Sequence, residues 1–587
     1  MSCTRTTRLP HRAVLALGVL ALSACISSPY TENPEITNHV DDWRDRTVYQ
    51  LLTDRFDNGD GSNDWNVTRD DSALARYHGG DWEGLIDRVD YFEELGVDTI
   101  WISPVFRNVE EDAGVSSYHG YWPQSFRDTN PHFGDIAKLR ELVDVMHQHD
   151  IAVVFDVVVN HIGQLFYYDI NMNGQADITD YYATDGSGDM ETVTEWDPGF
   201  DPGGIQAWTS LGYAGQAPIE WLDMPEIHRV RPEPGEFANP DWYNRMGRVE
   251  DWNDFDQVVL GDFPGGLKDL KTTNPNVRNA LISVWQEWIR ATNVDGFRID
   301  TVKHVEADFW PEFCGAIRSF TAEIGKENFL MYGESFDGDD ALIGSYTFDE
   351  ALDSVAYFSQ KYQVYDDVFE FGGATSKVQA LHELRSENWG VTAHEGGVGV
   401  APVDLPMNFI DNHDVARFLY TAKEQGLPDP QAALESALVY LYTSVGIPIL
   451  YYGTEQGFDG GNDPANREPL WWSGFDTSGD LFQHTQQLIA LRKDHTALTH
   501  GDTTFTATTD DGPGILAFER DSGDELVLVA INTSDSDGIT TTGMVTSFDS
   551  GDTVTDLLGS DRSWTVGSGG ELQLELEPRD FVVLGVE

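Results

Sequence analysis

The segments Asp156-Val-Val-Val-Asn160-His161 and Gly296-Phe-Arg298-Ile-Asp300 decide how this chain folds. Each is a short apolar run that ends in charged or polar residues. A run that stays apolar through successive positions suits a strand buried on both faces of a parallel sheet. Tyr332-Gly-Glu334-Ser and Ile410-Asp-Asn-His413-Asp414 end the same way. Outward from these four, residues 48–53, 99–103, 152–159, 296–300, 329–332, 407–410 and 448–452 read as buried strands. Helix-like stretches at 136–149, 277–292 and 431–442 lie between them, the rhythm of βα units. One further strand near 351–357 completes eight. The predicted fold is α/β, a closed (β/α)8 TIM barrel whose active site lies at the carboxyl ends of the strands.

Residues 162–268 interrupt that rhythm with turn-rich, Trp- and Asp-rich sequence too long for a βα loop. They are expected to form a subdomain inserted after the third strand, dividing the barrel into 42–161 and 269–497. From 498 to 587 short apolar runs at 515–519, 525–532 and 581–586 alternate with Gly, Asp and Ser turns, which predicts a C-terminal antiparallel β-sandwich. At the other end, Arg5, Arg8 and Arg12 precede an apolar run from Ala13 to Ala24 that closes on Leu22-Ser23-Ala24-Cys25. A basic start, a short apolar core and small closing residues read as a leader over 1–24. The ending resembles a bacterial lipobox, which implies export and a lipid anchor at Cys25; an ordinary leader followed by a chance cysteine is the other reading. Residues 25–41 are expected to be a tether.

Of 587 residues, 100 are acidic and 36 basic, a formal charge of −64. That excludes the usual nucleic-acid binder, whose footprint is basic, and disfavours anionic membranes except through the anchor. A neutral sugar or polymer remains an easy partner. The acidity reads either as a solvated acidic face or as adaptation to high salt, where counterions screen self-repulsion. With 40% hydrophobic and 12% aromatic residues, the chain has ample material for packed cores. Its three cysteines, Cys3, Cys25 and Cys314, make no disulfide framework. A monomer is expected.

Arg298 and Asp300 are two apart and therefore project to one side of a strand. A guanidinium so close is expected to hold the carboxylate ionised, as a nucleophile requires. Glu334 ends an apolar strand, where burial raises its pKa and suits it to general acid work. A carboxylate pair of that kind, about 5 to 5.5 Å apart, serves retaining glycosidases. Singly, an Asp at a strand end is a turn former or cap, and His161 or His413 a satisfied core histidine. Four such ends in one alternating pattern argue for a site.

These four segments resemble, in order, the signature regions of glycoside hydrolase family 13, the α-amylase family, over roughly 45–587. His119-Gly-Tyr121-Trp122, the run Gly446–Gln456 and Gly461-Asn-Asp463-Pro-Ala-Asn-Arg467-Glu fit too, the last resembling fungal-type α-amylases. The resemblance implies that Asp300 is the nucleophile, Glu334 the acid/base and Asp414 the transition-state stabiliser. Arg298 would orient Asp300, His161 and His413 would bind sugar hydroxyls, and Tyr121 would stack on the reacting sugar beside Trp122. Asp463 and Arg467 are similar to residues that bind sugars toward the non-reducing side. Lys303-His304, after Asp300, resembles α-amylases and cyclodextrin glycosyltransferases and adds two substrate contacts. Those transferases usually carry extra C-terminal domains for which this chain has no room. Leu267-Lys268-Asp269-Leu270-Lys271 departs from the Leu-Pro-Asp-Leu-Asn of many α-amylases, which bears on fine specificity. The implied activity is endo-hydrolysis of α-1,4 bonds in starch and maltooligosaccharides; a maltogenic or transglycosylating enzyme, or a non-catalytic glucan-binding protein, are the alternatives.

Calcium takes oxygen ligands from distant loops. The resemblance implies one ion held by Asn160, Glu250, Asp269 and the carbonyl of His304. A second candidate needs no resemblance: Asp169, Asn171, Asn173, Gln175, Asp177 and Asp180, with Gly174, fit the spacing of a 12-residue EF-hand loop. A third, Asn58, Asp60, Asn63, Asp64, Gly79 and Asp81, is similar to a calcium loop of cyclodextrin glycosyltransferases, and also reads as a solvated acidic loop.

Overall fold

The computed structural model describes residues 29–112, 114–163, 234–263 and 267–586, together with residue 196 and the backbone of 182–184 and 190–192. Eight parallel strands form its centre: β1 (Val48–Leu51), β2 (Thr99–Ile102), β3 (Ala152–Val157), β4 (Gly296–Ile299), β5 (Leu330–Gly333), β6 (Ser354–Val355), β7 (Met407–Phe409) and β8 (Ile447–Tyr451). They run in the order β6-β5-β4-β3-β2-β1-β8-β7. A parallel bridge between Ala356 and Met407 joins the two ends, so the sheet closes as a barrel. The strand alternation sorts the side chains. Val48, Trp101, Val154, Leu330, Tyr332, Met407 and Ile449 form one buried cluster inside the barrel. Tyr49, Ile100, Val153, Phe155, Phe297 and Met331 point the other way and pack into the larger core shared with the helices.

The helices begin and stop where their sequences say. Asp135, Asn274 and Asp429 cap Ile136–Gln148, Pro275–Thr292 and Pro430–Thr443 through their side-chain oxygens, satisfying amides that otherwise lack partners. Phe309–Ile324 ends on Gly325 in the left-handed region (φ 78°) and carries Cys314, buried and unpaired. No described helix is long and apolar enough to cross a membrane.

Residues 30–41, expected to be a tether, are laid against the foot of the barrel instead. Lys326 Nζ donates to the Thr37 carbonyl, and Asn328 Nδ2 to those of Val40 and Asp41. His39 stacks on His147 at 3.6 Å, and Val40 and Trp43 join the barrel's inner cluster. Pro, Asn, Glu and Thr gave this stretch a linker's composition, but its backbone polar groups find fixed partners.

The long excursion after β3 leaves and returns side by side: His161–Ile162 pairs antiparallel with Lys268–Asp269, His161 opposite Asp269. Within it, Tyr182–Thr184 pairs with Met190–Thr192, and Phe255–Leu260 is a short helix. After the barrel come β9 (Asp502–Ala507), β10 (Ile515–Asp521), β11 (Leu526–Asn532), β12 (Thr553–Asp556), β13 (Ser563–Thr565) and β14 (Phe581–Val586). They make a six-stranded antiparallel sheet ordered β9-β10-β11-β14-β12-β13. One face of it, with Leu516, Phe518, Val529 and Val583, packs into the barrel's core. The other, with Ala517, Leu528 and Leu584, packs on Phe548, Leu572 and Leu574.

Candidate active site

Period-two alternation places Asp156, Arg298 and Tyr332 side by side, since register pairs Arg298 with both neighbours. Asp300 follows on the same side of its strand as Arg298. The ladder continues one step past the strands: Asp300 N–H donates to the Val157 carbonyl, and Glu334 N–H to that of Ile299. These bonds fix the backbone beneath both acids. Thr301, in the left-handed region at φ 49°, turns its own N–H toward Glu334 Oε2 at 3.3 Å.

Arg298 is shared among three carboxylates: Asp156 at 2.8 Å, Asp300 at 2.9 Å and Glu334 at 2.8 Å. The sequence led us to expect one guanidinium holding Asp300 ionised. Divided three ways, it does less. Burial raises the Asp300 carboxyl to about 7 against the pull of Arg298, with Asp156 and Asp414 adding to the rise. Glu334 goes up to about 8, again chiefly through burial, against Arg298. Asp156 is pushed up to about 6 and accepts from Trp101 Nε1 and Tyr121 Oη. Burial thus favours the protonated form of Glu334, as a proton donor requires.

Asp300, Glu334 and Asp414 line one cleft of about 720 Å³. So do Tyr121, Trp122, His161, Lys303, His304, His413, Asp463 and Arg467; Arg298 lies beneath the floor, buried. Tyr121 stacks parallel to His413 at 5.2 Å while its hydroxyl is tied to Asp156. Gln50 donates to His413 Nδ1, and His413 Nε2 lies 3.1 Å from Asp414 Oδ2. With Nδ1 accepting, Nε2 carries the hydrogen. Burial and nearby arginines push this imidazole well below its ordinary range, so it stays neutral. His161 donates to the Tyr121 carbonyl, and burial brings it down to about 4. Arg467 bridges Asp414 (3.1 Å), Asp463 (2.9 Å) and the His413 carbonyl (2.9 Å). Lys303 Nζ donates to the Phe336 carbonyl at 2.6 Å.

Sequence reasoning missed Tyr118, Trp252, Phe263 and Phe336, which also line the cleft. Tyr118 adjoins the quoted His119-Gly-Tyr121-Trp122 run, and Phe336 lies two residues past Glu334. Trp252 and Phe263 come from the inserted segment, where nothing local announces a cleft.

Among the metal candidates, Asn160 and Asp269 come together: Leu270 N–H donates to the Asn160 carbonyl beside the His161–Asp269 pair. Asp269 is buried, and desolvation drives its carboxyl well above the usual range, with Asp262 and Glu306 adding to the rise. Its oxygens receive the amide of Asn244, a residue the sequence did not suggest, and Oε1 of nearby Glu306 is buried without a partner. Asp262 is answered by Lys268, whereas the Asp269 carboxyl and the open Glu306 oxygen are donors of the hard-oxygen kind that calcium takes. Glu250 lies on the surface, its N–H donating to Gln257; the His304 ring donates to the Val258 carbonyl, a bond that leaves the expected ligand, the His304 carbonyl, untouched. Lys268, at the departure from the common motif, is buried and paired with Asp262 at 3.1 Å. Around Asn58–Asp64, Asp81 accepts from the amides of Gly59, Asp60 and Gly84 and from Asn63 Nδ2. Asn58 is bonded to Asp64. A Cβ on Gly79 would meet both within 2.8 Å, so glycine there lets the loop close. That loop is held by its own hydrogen bonds and leaves only Asn63 Oδ1 buried and unpartnered. Asp169–Asp180 lies outside the described residues. Among the described residues, no three His, Cys, Asp or Glu side chains are arranged to hold a metal.

An acid pair bridged by arginine, in a cleft at the mouth of a parallel barrel, places this protein in the class of barrel glycoside hydrolases. Comparison with known proteins narrows the class. Residues 50–501 match the catalytic domain of α-amylase and residues 505–587 its C-terminal all-β domain. The chain belongs to the α-amylase family. It is 33% identical to a β/α-amylase of Paenibacillus polymyxa over 92% of its own length, and spans 38% of that larger protein. It is 28% identical to α-amylase 2 of Schwanniomyces occidentalis over 95% of both chains. A solved cyclomaltodextrin glucanotransferase with a three-domain ABC distribution superposes with a TM-score of 0.70 at 25% identity, covering 92% of this chain and 99% of that one. Domain number therefore does not separate hydrolase from transferase, as the sequence reading had assumed.

Proposed function

We propose that this protein hydrolyses internal α-1,4-glucosidic bonds of starch-like glucans with retention of anomeric configuration. The observation that carries the reading is the arginine-bridged carboxyl pair, Asp300 and Glu334, lining one cleft with Asp414. Asp300 attacks C1 of the bound glucose while Glu334 protonates the departing glycosidic oxygen. Glu334, now a carboxylate, takes a proton from water, which attacks C1 and breaks the ester to Asp300. Tyr121 offers its ring face to the sugar, and His161, His413 and Asp414 hold its hydroxyls. Asp463 and Arg467 grip the chain toward its non-reducing side. A calcium ion held by Asn160 and Asp269 would neutralise the buried carboxylates and tie the inserted segment to the barrel beside His161. Export and lipid attachment at Cys25 belong to the same reading, on the strength of the Arg5–Cys25 sequence.

The transferase likeness supports a second reading in which a sugar competes with water for the glycosyl group. Product analysis on amylose, with the anomeric form followed by NMR, separates the two. Mixed oligosaccharides appearing first as α-anomers are expected; rings or transfer products alone would move the specificity. Binding without new chain ends would leave a glucan receptor.

A further inference from the structure

Away from the cleft, Arg385, Arg492 and Arg520 are all buried where the barrel meets the C-terminal sheet. A buried guanidinium is normally paired with a carboxylate, yet the bonds of these three go to neutral partners. Arg492 and Arg520 donate to the carbonyls of Tyr442, Thr443 and Ser444, at the end of the helix Pro430–Thr443. A helix end offers about half a negative charge, too little for two arginines, and Arg385 bonds only to His382. The acids that act on them from farther off are occupied or exposed. Asp98 is paired with Lys493 and Asp45 with His500, while Asp404 and Asp502 face solvent. Burial and repulsion from Arg492 and Arg385 bring Arg520 down to about 9.

A small cavity lies among them, lined by Gln360, His382, Arg385, Tyr440 and Thr503. Arg520 stands opposite Thr503 across the β9–β10 ladder. The free volume is about 10 Å³, room for one water-sized particle. Arg385 Nε and Thr503 Oγ1 are buried with no hydrogen-bond partner among the described residues. Arg385 Nη2 donates to His382 Nδ1 at 3.3 Å, which leaves the imidazole hydrogen on Nε2. Burial and the charges of Arg385 and Arg520 hold that ring down at about 3, so it is neutral. Gln360 Nε2 donates to the Tyr440 hydroxyl at 3.5 Å, leaving the phenol's own hydrogen to give. Donors thus outnumber the one unpartnered acceptor of the lining, Gln360 Oε1. Water gives as many hydrogens as it accepts, whereas an anion only accepts. Excess donors beside excess positive charge select an anion.

We propose that this cavity is a halide site, in which one chloride held by Arg385, His382 and Thr503 ties the barrel to the C-terminal sheet. Arg385 and His382 come from the helix Ser376–Asn388, Tyr440 from Pro430–Thr443 and Thr503 from β9, so the ion joins elements of both domains. Its charge offsets the mutual repulsion of the three guanidinium groups. The cavity shares no lining residue with the cleft, so the ion acts on stability and not on the bond being cleaved. A chain of charge −64 repels chloride at long range, and salt shortens that repulsion. The site therefore fills as salt rises.

Two measurements on the full chain test this. Crystals of the wild type grown in sodium bromide should show an anomalous bromide peak in the cavity beside Arg385 Nε. Thermal unfolding in sodium chloride is then compared with sodium gluconate at equal ionic strength, since gluconate screens as well but is too large to enter. The wild type should gain more Tm from chloride, relative to gluconate, than Arg385→Gln does, and the variant should lose the bromide peak. Thr503→Val, which removes one donor and keeps every charge, should show a reduced gain. A water or nothing in the wild-type cavity would overturn the site even if Arg385→Gln fails to fold. A chloride gain as large in Arg385→Gln as in the wild type would overturn it too.

Discussion

Arg298 is the side chain on which the chemistry turns. Its single charge faces Asp156, Asp300 and Glu334, so it lowers all three while burial raises them. Activity needs Asp300 ionised and Glu334 protonated. The sign follows: kcat/KM on maltooligosaccharides should rise as pH approaches about 7, where Asp300 loses its proton, and decline above about 8, where Glu334 loses its own. Replacing Arg298 by Leu removes the one charge that favours the ionised nucleophile. The acid limb should move upward and the maximal rate should fall by about 10²- to 10³-fold, the scale of losing one preorganised electrostatic partner. A variant with the wild-type pH profile would show that Arg298 does not poise the pair.

Between β3 and β4 the chain makes its long excursion, and the ends of that excursion meet at the His161–Asp269 pair. Asp269 is buried against Asn244, and Asp262, itself paired with Lys268, and Glu306 raise its carboxyl further, so a cation bound there would stabilise it. Calcium present at a hundredfold over its Kd should stabilise the fold by about 2.7 kcal/mol. Chelation should therefore lower the Tm of the wild type, and Asp269→Asn should start low and lose most of that response. A wild-type Tm indifferent to chelator would contradict a bound ion there. The strands at this scale were legible, because buried parallel strands are continuous apolar runs and their charged ends stand out. What was not legible depends on register and distance. Arg298 and Asp300 are visibly two apart, but only the pairing of β4 with β3 and β5 brings Asp156 and Glu334 to the same guanidinium. Trp252 and Phe263 reach the cleft from a segment whose local sequence resembles surface loop. Residues 30–41 look like linker by composition and are fixed by partners such as Lys326 and Asn328, some 290 positions away.

Across the whole molecule, 100 acids face 36 bases. Several acids are spent internally, as Asp156, Asp295 and Asp353 are in buried ion pairs, but a charge of −64 leaves a self-repelling surface. Screening shortens the reach of that repulsion from about 10 Å at 0.1 M salt to about 3 Å at 1 M. The Tm should therefore rise between low and molar sodium chloride. A flat or falling Tm would mean that the acidity serves solubility alone.

The central claim is a covalent glycosyl group on Asp300. Maltotriosyl fluoride bears a leaving group that departs without protonation, so a Glu334→Gln enzyme should form the ester and be slow to hydrolyse it. Mass spectrometry of the quenched and digested protein should find one maltotriosyl group on the peptide that contains Asp300. A peptide left unmodified while fluoride is released, or the sugar found on Asp414 instead, would contradict the account.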